Sequence, residues 1–205
     1  MTEFFLQYPE ALATLVAAIV AILHYITLKY RSKARRLHIP DTLEATKDIY
    51  DTMLDLLQQV PCARILLVRT TNGGKLARPG FDLYSSVVFE VRRPDVPSVR
   101  DSWQGRRMDA PYQRLLLDVY IEDSVWVDVP DMADEELRDQ YISDGLKHAF
   151  VLHVHSNTGA LFYLCIGFPE DADISALQDD PKFRAKVRSS VGKLRKALKE
   201  GDDVY

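Results

Sequence analysis

The sequence predicts an α/β chain of the α+β kind: one N-terminal transmembrane helix, then a domain with a mostly antiparallel sheet flanked by helices. Three observations carry this. Ala11 to Leu28 holds no charged residue and is mostly Ala, Leu, Val and Ile. Two stretches alternate like neighbouring strands around Asn157-Thr158-Gly159. Amphipathic helical spacing marks both ends of the remaining chain.

The elements follow in order. Residues 1–10 carry only Glu3 and Glu10 and are expected outside the membrane. About 20 helical residues cross a hydrocarbon core roughly 30 Å thick. Residues 11–30 meet that length, with Ala11, Leu15, Ile19, Leu23, Tyr25 and Leu28 as members of the anchor and Tyr25 near its interfacial end. Thr14 and His24 interrupt the run. Lys29, Arg31, Lys33, Arg35 and Arg36 follow in a basic juxtamembrane linker over 31–40, which places that side and residues 41–205 in the cytoplasm. A signal peptide would need a positive leading region and a small-residue cleavage site, and neither is visible. A helix buried inside an assembly such as a viral particle is the alternative.

Asp41, with Glu44 three residues on, reads as a helix N-cap. Leu43, Tyr50, Met53, Leu54 and Leu57 give that helix its apolar spacing, and it stops near Pro61. Ile65-Leu66-Leu67-Val68 is a strand, followed by a turn at Asn72-Gly73-Gly74. Gly73-Gly74-Lys75 lacks the spacing of a phosphate loop and is read as that turn. Tyr84 to Val91 is a second strand. Residues 94–111 hold Pro94, Pro97 and Pro111 without periodicity, so a long loop is expected, of the kind that is often functional. Arg92, Arg93, Arg100, Arg106 and Arg107 surround it as a solvated basic rim.

Tyr112 to Ile121 is helical, and Val125 to Val129 is a short strand. Asp134-Glu135-Glu136 opens a further helix, where acidic side chains suit the positive end of the dipole, and Gly145 ends it. Ala149–His155 and Ala160–Phe168 form the hairpin. Pro181 to Glu200 is the last helix, with Phe183, Val187, Val191, Leu194 and Leu198 on one side and lysines and arginines on the others.

This order resembles the GAF domain, the sensory module related to PAS, over about residues 41–200. The likeness rests on Ile65-Leu66-Leu67-Val68 with its Gly-rich turn and the Tyr84 strand. It rests equally on the hairpin from Phe150 to Leu164 leading into the amphipathic last helix. The resemblance implies a ligand pocket on one sheet face and dimerisation through the first and last helices. The Asn-Lys-X-Asp-Glu signature of cyclic-nucleotide binders is missing, as is the Cys-His pair that tethers a bilin. Free-methionine sulfoxide reductases need more cysteines than Cys62 and Cys165. No cofactor is expected.

Candidate site residues come from strand parity. Alternate residues share a face, so pairing His155 with Leu161 and His153 with Tyr163 gathers His153, His155, Tyr163 and Cys165 on one mixed face. Leu152, Val154, Phe162, Leu164 and Ile166 form the other, expected against the end helices. Trp126 and Asp128 on the short strand are assigned to the mixed, pocket side. Two histidines with Asp128 make an incomplete ligand set, so no metal is expected. Cys165 beside His153 lacks an oxyanion hole and an orienting third group, so no enzyme is expected.

Two cysteines in 205 residues exclude a disulfide framework and read as reduced, buried thiols. A net charge of −4 argues against nucleic acid as a partner, although the last helix is basic. The expected function is a membrane-anchored sensory or interaction module. It takes a small ligand or a protein partner, forms a homo-oligomer and touches membrane lipid through 11–30. No kinase, cyclase or DNA-binding segment follows, so output through another protein is expected. The alternative is a non-sensing membrane scaffold or a phage or viral assembly protein that uses the fold as a surface.

Overall fold

The computed structural model describes residues 19–25, 39–72, 82–156 and 160–202. Of the expected span, only 19–25 falls within these; it is helical, and Ile19, Leu23 and Tyr25 on it are exposed. Ala11, Leu15, Leu28, residues 31–38 of the basic linker, and residues 73–74 and 157–159 of the two turns lie outside the described residues, while 39–40, expected in the linker, belong to the first helix. Among the described residues no helix is long and apolar enough to cross a membrane.

Helix α1 is Ile39–Gln59, followed by strands β1 (Arg64–Thr71) and β2 (Tyr84–Arg92). The two-residue β3 (Arg106–Arg107) precedes α2 (Ala110–Glu122), β4 (Ser124–Asp128) and α3 (Glu135–Ser143). The hairpin β5 (His148–Ser156) and β6 (Leu161–Phe168) leads to a short α4 (Ile174–Asp179) and to α5 (Pro181–Asp202). The six strands lie in the order β3-β2-β1-β6-β5-β4, and every pairing is antiparallel.

The alternation of apolar residues builds two cores. Ile65, Leu67, Leu164, Ile166 and Phe168 point to one face, where α1 and α5 supply Met53, Leu56, Val187 and Leu194. Leu66, Val68, Val151, Tyr163 and Cys165 point to the other, under α2, α3 and the loop before α2. The expected helix-side set, Leu152, Val154, Phe162, Leu164 and Ile166, does pack against the end helices.

Several local expectations are corrected. Helix α1 starts at Ile39, so Asp41 lies inside its first turn rather than at the cap. Proline is tolerated in that first turn, so Pro40 does not delay the start. Asp109 and Asp134 do cap their helices, accepting from Tyr112 N at 2.9 Å and Leu137 N at 2.8 Å. The stretch 94–111 is not a free loop. Val99, Trp103 and Met108 are buried, and β3 adds to the sheet edge. Gly145 ends α3 at φ +72°, a left-handed conformation that glycine adopts without a side-chain clash.

The hairpin register holds at His153↔Tyr163 and then shifts: His155 lies opposite Phe162, and Ser156 takes Leu161. A bulge between His153 and His155 inserts one residue, so the expected pairing of His155 with Leu161 is lost. Arg195 of α5 satisfies the backbone there. Its Nε donates to Val154 O at 2.7 Å and its Nη2 to His153 O at 3.2 Å.

Candidate functional site

The mixed sheet face is filled rather than hollow. Tyr163 and Cys165 are 3% and 2% exposed, and Trp103 above them is 2% exposed. Helix α2 lowers Tyr112 onto this face and α3 lowers Tyr141. The hydroxyls of Tyr112 and Tyr163 share a hydrogen bond, and Tyr141 Oη lies 3.2 Å from Cys165 Sγ. The Trp103 ring packs on Tyr141 with centroids 5.5 Å apart. Arg106 of β3 lies over Trp103, 5.4 Å from the ring centre, and reaches Asp134 at 4.0 Å. The loop that carries the tryptophan is thereby tied to the start of α3.

Burial dominates the chemistry of these groups, because a charged form would lose its hydration. It pushes the Cys165 thiol up to about 11, and Tyr163 and Tyr141 well above the ordinary phenol range. Tyr112 is raised for the same reason. At neutral pH Cys165 is therefore a thiol, whereas nucleophilic work needs the thiolate.

The six predicted residues do not meet in one pocket. Trp126 lies on the opposite face from Tyr163. It pairs with Phe150 across β4 and β5, and its ring stacks on Phe150 at 4.4 Å, near Phe168 and Phe183. Asp128, two residues on, shares that parity. It is half-exposed at the strand end and 3.7 Å from His148 Nδ1. The bulge carries His155 to Phe162, where the two rings stack at 6.4 Å. His153 lies on β5 just past the last residue paired with β4, edge-on to the Tyr120 ring, with Nδ1 3.7 Å from Asp123 Oδ1. Among the described residues no group of three or more His, Cys, Asp or Glu is placed to hold a metal ion.

Among the concavities at the surface of the described residues, two adjoin the sheet. A cleft of about 360 Å³ lies between α2 and the start of α3, lined by Pro111, Tyr112, Leu115, Val127, Met132 and Asp134. A groove of about 580 Å³ runs between β4 and α5. The groove brings together two of the predicted residues, Trp126 and His153, with Phe183, Val187 and an arginine row from the basic side of the last helix. At 3.6 residues per turn, Arg184, Arg188 and Arg195 fall within about 40° of one another around α5. That spacing was the available signal; it was hidden among the lysines of a helix read as generally basic. At the groove's end Arg195 Nη2 approaches Asp123 Oδ1 at 3.7 Å, beside His153. Burial lowers the His153 pKa, Arg195 adds to the lowering, and Asp123 opposes both.

No protein-family model matches the chain. No curated protein matches it. Solved structures do. The GAF domain of a two-component sensor histidine kinase from Bacillus halodurans is similar over 76% of this chain and 95% of its own, at 15% identity and TM-score 0.52. A phycoerythrobilin-bound GAF domain from a cyanobacterial phytochrome covers 83% of this chain and 94% of its own, at 16% identity and TM-score 0.53. A GAF domain/HD domain protein from Geobacter sulfurreducens covers 80% of this chain and 95% of its own, at 12% identity and TM-score 0.52. The fold is GAF-like.

Two outcomes follow from this geometry. Tyr112→Phe leaves the Tyr163 hydroxyl buried without its partner and is expected to cost about 1–3 kcal/mol in denaturant unfolding. The Tyr112→Phe/Tyr163→Phe pair is expected to cost less than the sum of the two single changes. The second outcome concerns pH. His153 is expected to titrate below the ordinary imidazole value of about 6.5 in an NMR pH series. The unfolded chain then binds more protons than the folded one between the two pKa values. The contribution of this group to stability is therefore present above pH about 6.5 and is lost as pH falls through the lowered folded value. His153→Gln is expected to flatten that acid limb.

Proposed function

We propose that this chain is a GAF-fold sensory module of the interaction type, held at a membrane by residues 11–30, which passes its signal by docking protein rather than by enclosing a small ligand. The observation that carries this reading is the filled sheet face. Over β1 and β6 the space under α2 and α3 is occupied by Trp103, Tyr112, Tyr141 and Tyr163, with the three tyrosine hydroxyls engaged inside the chain, and the cleft between α2 and the start of α3 lies beside this plug and opens to the surface. A ligand entering there would have to expel aromatic side chains from a close-packed interior.

The chain's output in this reading runs through α1 and α5. They lie side by side on the other face, and both chain ends leave through them. Leu43 and Tyr50 on the outer surface of α1 are exposed, which suits association with a second copy. A basic linker joins α1 to the proposed span. Changes in helix packing can therefore reach the membrane through few residues. The filled face equally fits a second reading, a non-sensing scaffold at a membrane or in a phage or viral assembly. The two differ in whether docking alters the packing of α1 on α5.

A thermal-shift screen of the full-length chain against nucleotides, cyclic nucleotides, amino acids and tetrapyrroles tests the proposal. A ligand present at about 100 times its Kd contributes about 2.7 kcal/mol, roughly 5–10 °C in Tm for a domain of this size. The expected result is no such shift, with a stoichiometric protein partner retained on native purification. A metabolite that raises Tm by that amount would contradict the proposal.

A further inference from the structure

The helix layer is narrower than the sheet it covers. Packed helices lie 8–10 Å apart, whereas neighbouring strands lie about 4.8 Å apart. Two helices side by side therefore cover about four strands. Helix α1 lies over β1 and β2, and α5 reaches β5. Beyond it, on this face, neither α1 nor α5 lies over β4, the edge of the sheet, and the short α4 contributes Gln178 to the groove. The uncovered margin is β4 with the outer side of β5, open outward past the sheet edge, so a helix about 10–12 Å across can lie along it. This is the position of the 580 Å³ groove, with Trp126 and Phe150 as its floor and Phe183 and Val187 in its wall.

The charge along the wall indicates what belongs there. Arg184, Arg188 and Arg195 line the groove, and the first and last of them are about 16 Å apart along α5. Arg184 donates to the Gln178 carbonyl, and Arg195 is held by the bulge carbonyls and Asp123. Arg188 is exposed and has no ion-pair partner among the described residues. Positive charge spread over three helical turns suits an occupant with carboxylates spread over a similar length. A single-headed anion such as a fatty acid would engage only one end. The chain's own stretch from Lys29 to Arg36 has the same sign as the row and is repelled by it.

Gly192 is an independent pointer. It lies inside α5, where glycine is an unfavourable residue, and it lines the groove. A Cβ built on it would meet nothing within 4 Å, so no contact among the described residues accounts for the glycine. A bare backbone at this point lets a second helix approach α5 closely.

We propose that the groove between β4 and α5 is a docking slot for an acidic amphipathic helix of a partner protein, which completes the helix layer as its third member. The apolar face of that helix rests on Trp126 and Phe150. Its carboxylates meet the arginine row, and its backbone passes Gly192. This rests on the interaction-module reading and names the site and the chemistry of the partner.

The probe is a synthetic helical peptide about 16 residues long, some four turns, with Leu along one face and Glu along its flank. A twin peptide carries Lys in place of Glu. Binding to the full-length chain in a nonionic detergent is read by fluorescence anisotropy. The Glu peptide is expected to bind saturably, and the Lys peptide is not. Arg184→Glu/Arg188→Glu is expected to weaken the Glu peptide by at least about tenfold and to admit the Lys peptide. Gly192→Leu, which enters open space, is expected to keep or raise Tm while weakening the peptide to a similar degree.

Absence of saturable Glu-peptide binding, or binding unchanged in both variants, would overturn the proposal. So would displacement of the peptide by laurate at equal affinity, which would make the groove a small-amphiphile site. Capture by anionic phosphatidylglycerol vesicles without peptide binding would instead assign the arginines to lipid. Self-association lost in Gly192→Leu, without peptide binding, would assign the groove to a second copy. Each of these outcomes can occur with a clean metabolite screen, so failure of the slot is distinguishable from failure of the interaction-module reading.

Discussion

The pairing of β1 with β6 is the constraint on which the rest of the molecule depends. These strands lie at the centre of the sheet and are covered on both faces. Their register sets Ile65 opposite Ile166, Leu66 opposite Cys165 and Val68 opposite Tyr163. A slip of one residue on β6 would send Tyr163 and Cys165 into the apolar layer under α1 and α5. It would also leave Leu164 facing the hydroxyls of Tyr112 and Tyr141. Both cores therefore select the same register, and neither could form with any other.

From that register follows a face that is buried yet carries oxygen and sulfur atoms. Such atoms are costly to bury unless they find partners. Tyr112 with Tyr163, and Tyr141 with Cys165, supply them pairwise. At the bottom of the same face, Arg64 is buried and approaches Asp144 at 3.6 Å, while also donating to the Asp144 carbonyl. Burial raises the Asp144 pKa, and Arg64 opposes the rise. Together these contacts tie α2, α3 and the Trp103 loop to the sheet. They leave the outer surfaces, above all the helix layer and its open side, as the places where another molecule can act on the fold.

Much of this fold was legible in the sequence, and the reasons are local. The hairpin faces came from a period of two that Phe150 to Phe168 obeys almost throughout. The end helices came from apolar spacing that α1 and α5 both keep. What escaped had no local signature. The bulge at His153 depends on Arg195, some 40 residues away, satisfying its carbonyls. Trp126 lies on the face opposite to the expected one, since five residues of an edge strand do not disclose their register with β5. The Trp103 plug sits in a proline-rich stretch with no period, so burial there was invisible. The short α4 is too brief to show a helical repeat.

The candidate site was legible only in part, for the same reason. His153 and Trp126 do line one groove, but they reach it from opposite parities of neighbouring strands, which strand alternation alone could not anticipate. Whether the mixed sheet face is filled is decided by the reactivity of Cys165. The folded full-length chain would be exposed to a small aromatic disulfide across a denaturant series, with the modified peptide identified by mass spectrometry. Cys165 is expected to react only as the whole domain unfolds, at a rate that follows global unfolding. Rapid modification of Cys165 in the native chain, without denaturant, would mean that this face holds an open cavity and is not packed by Trp103 and the tyrosines.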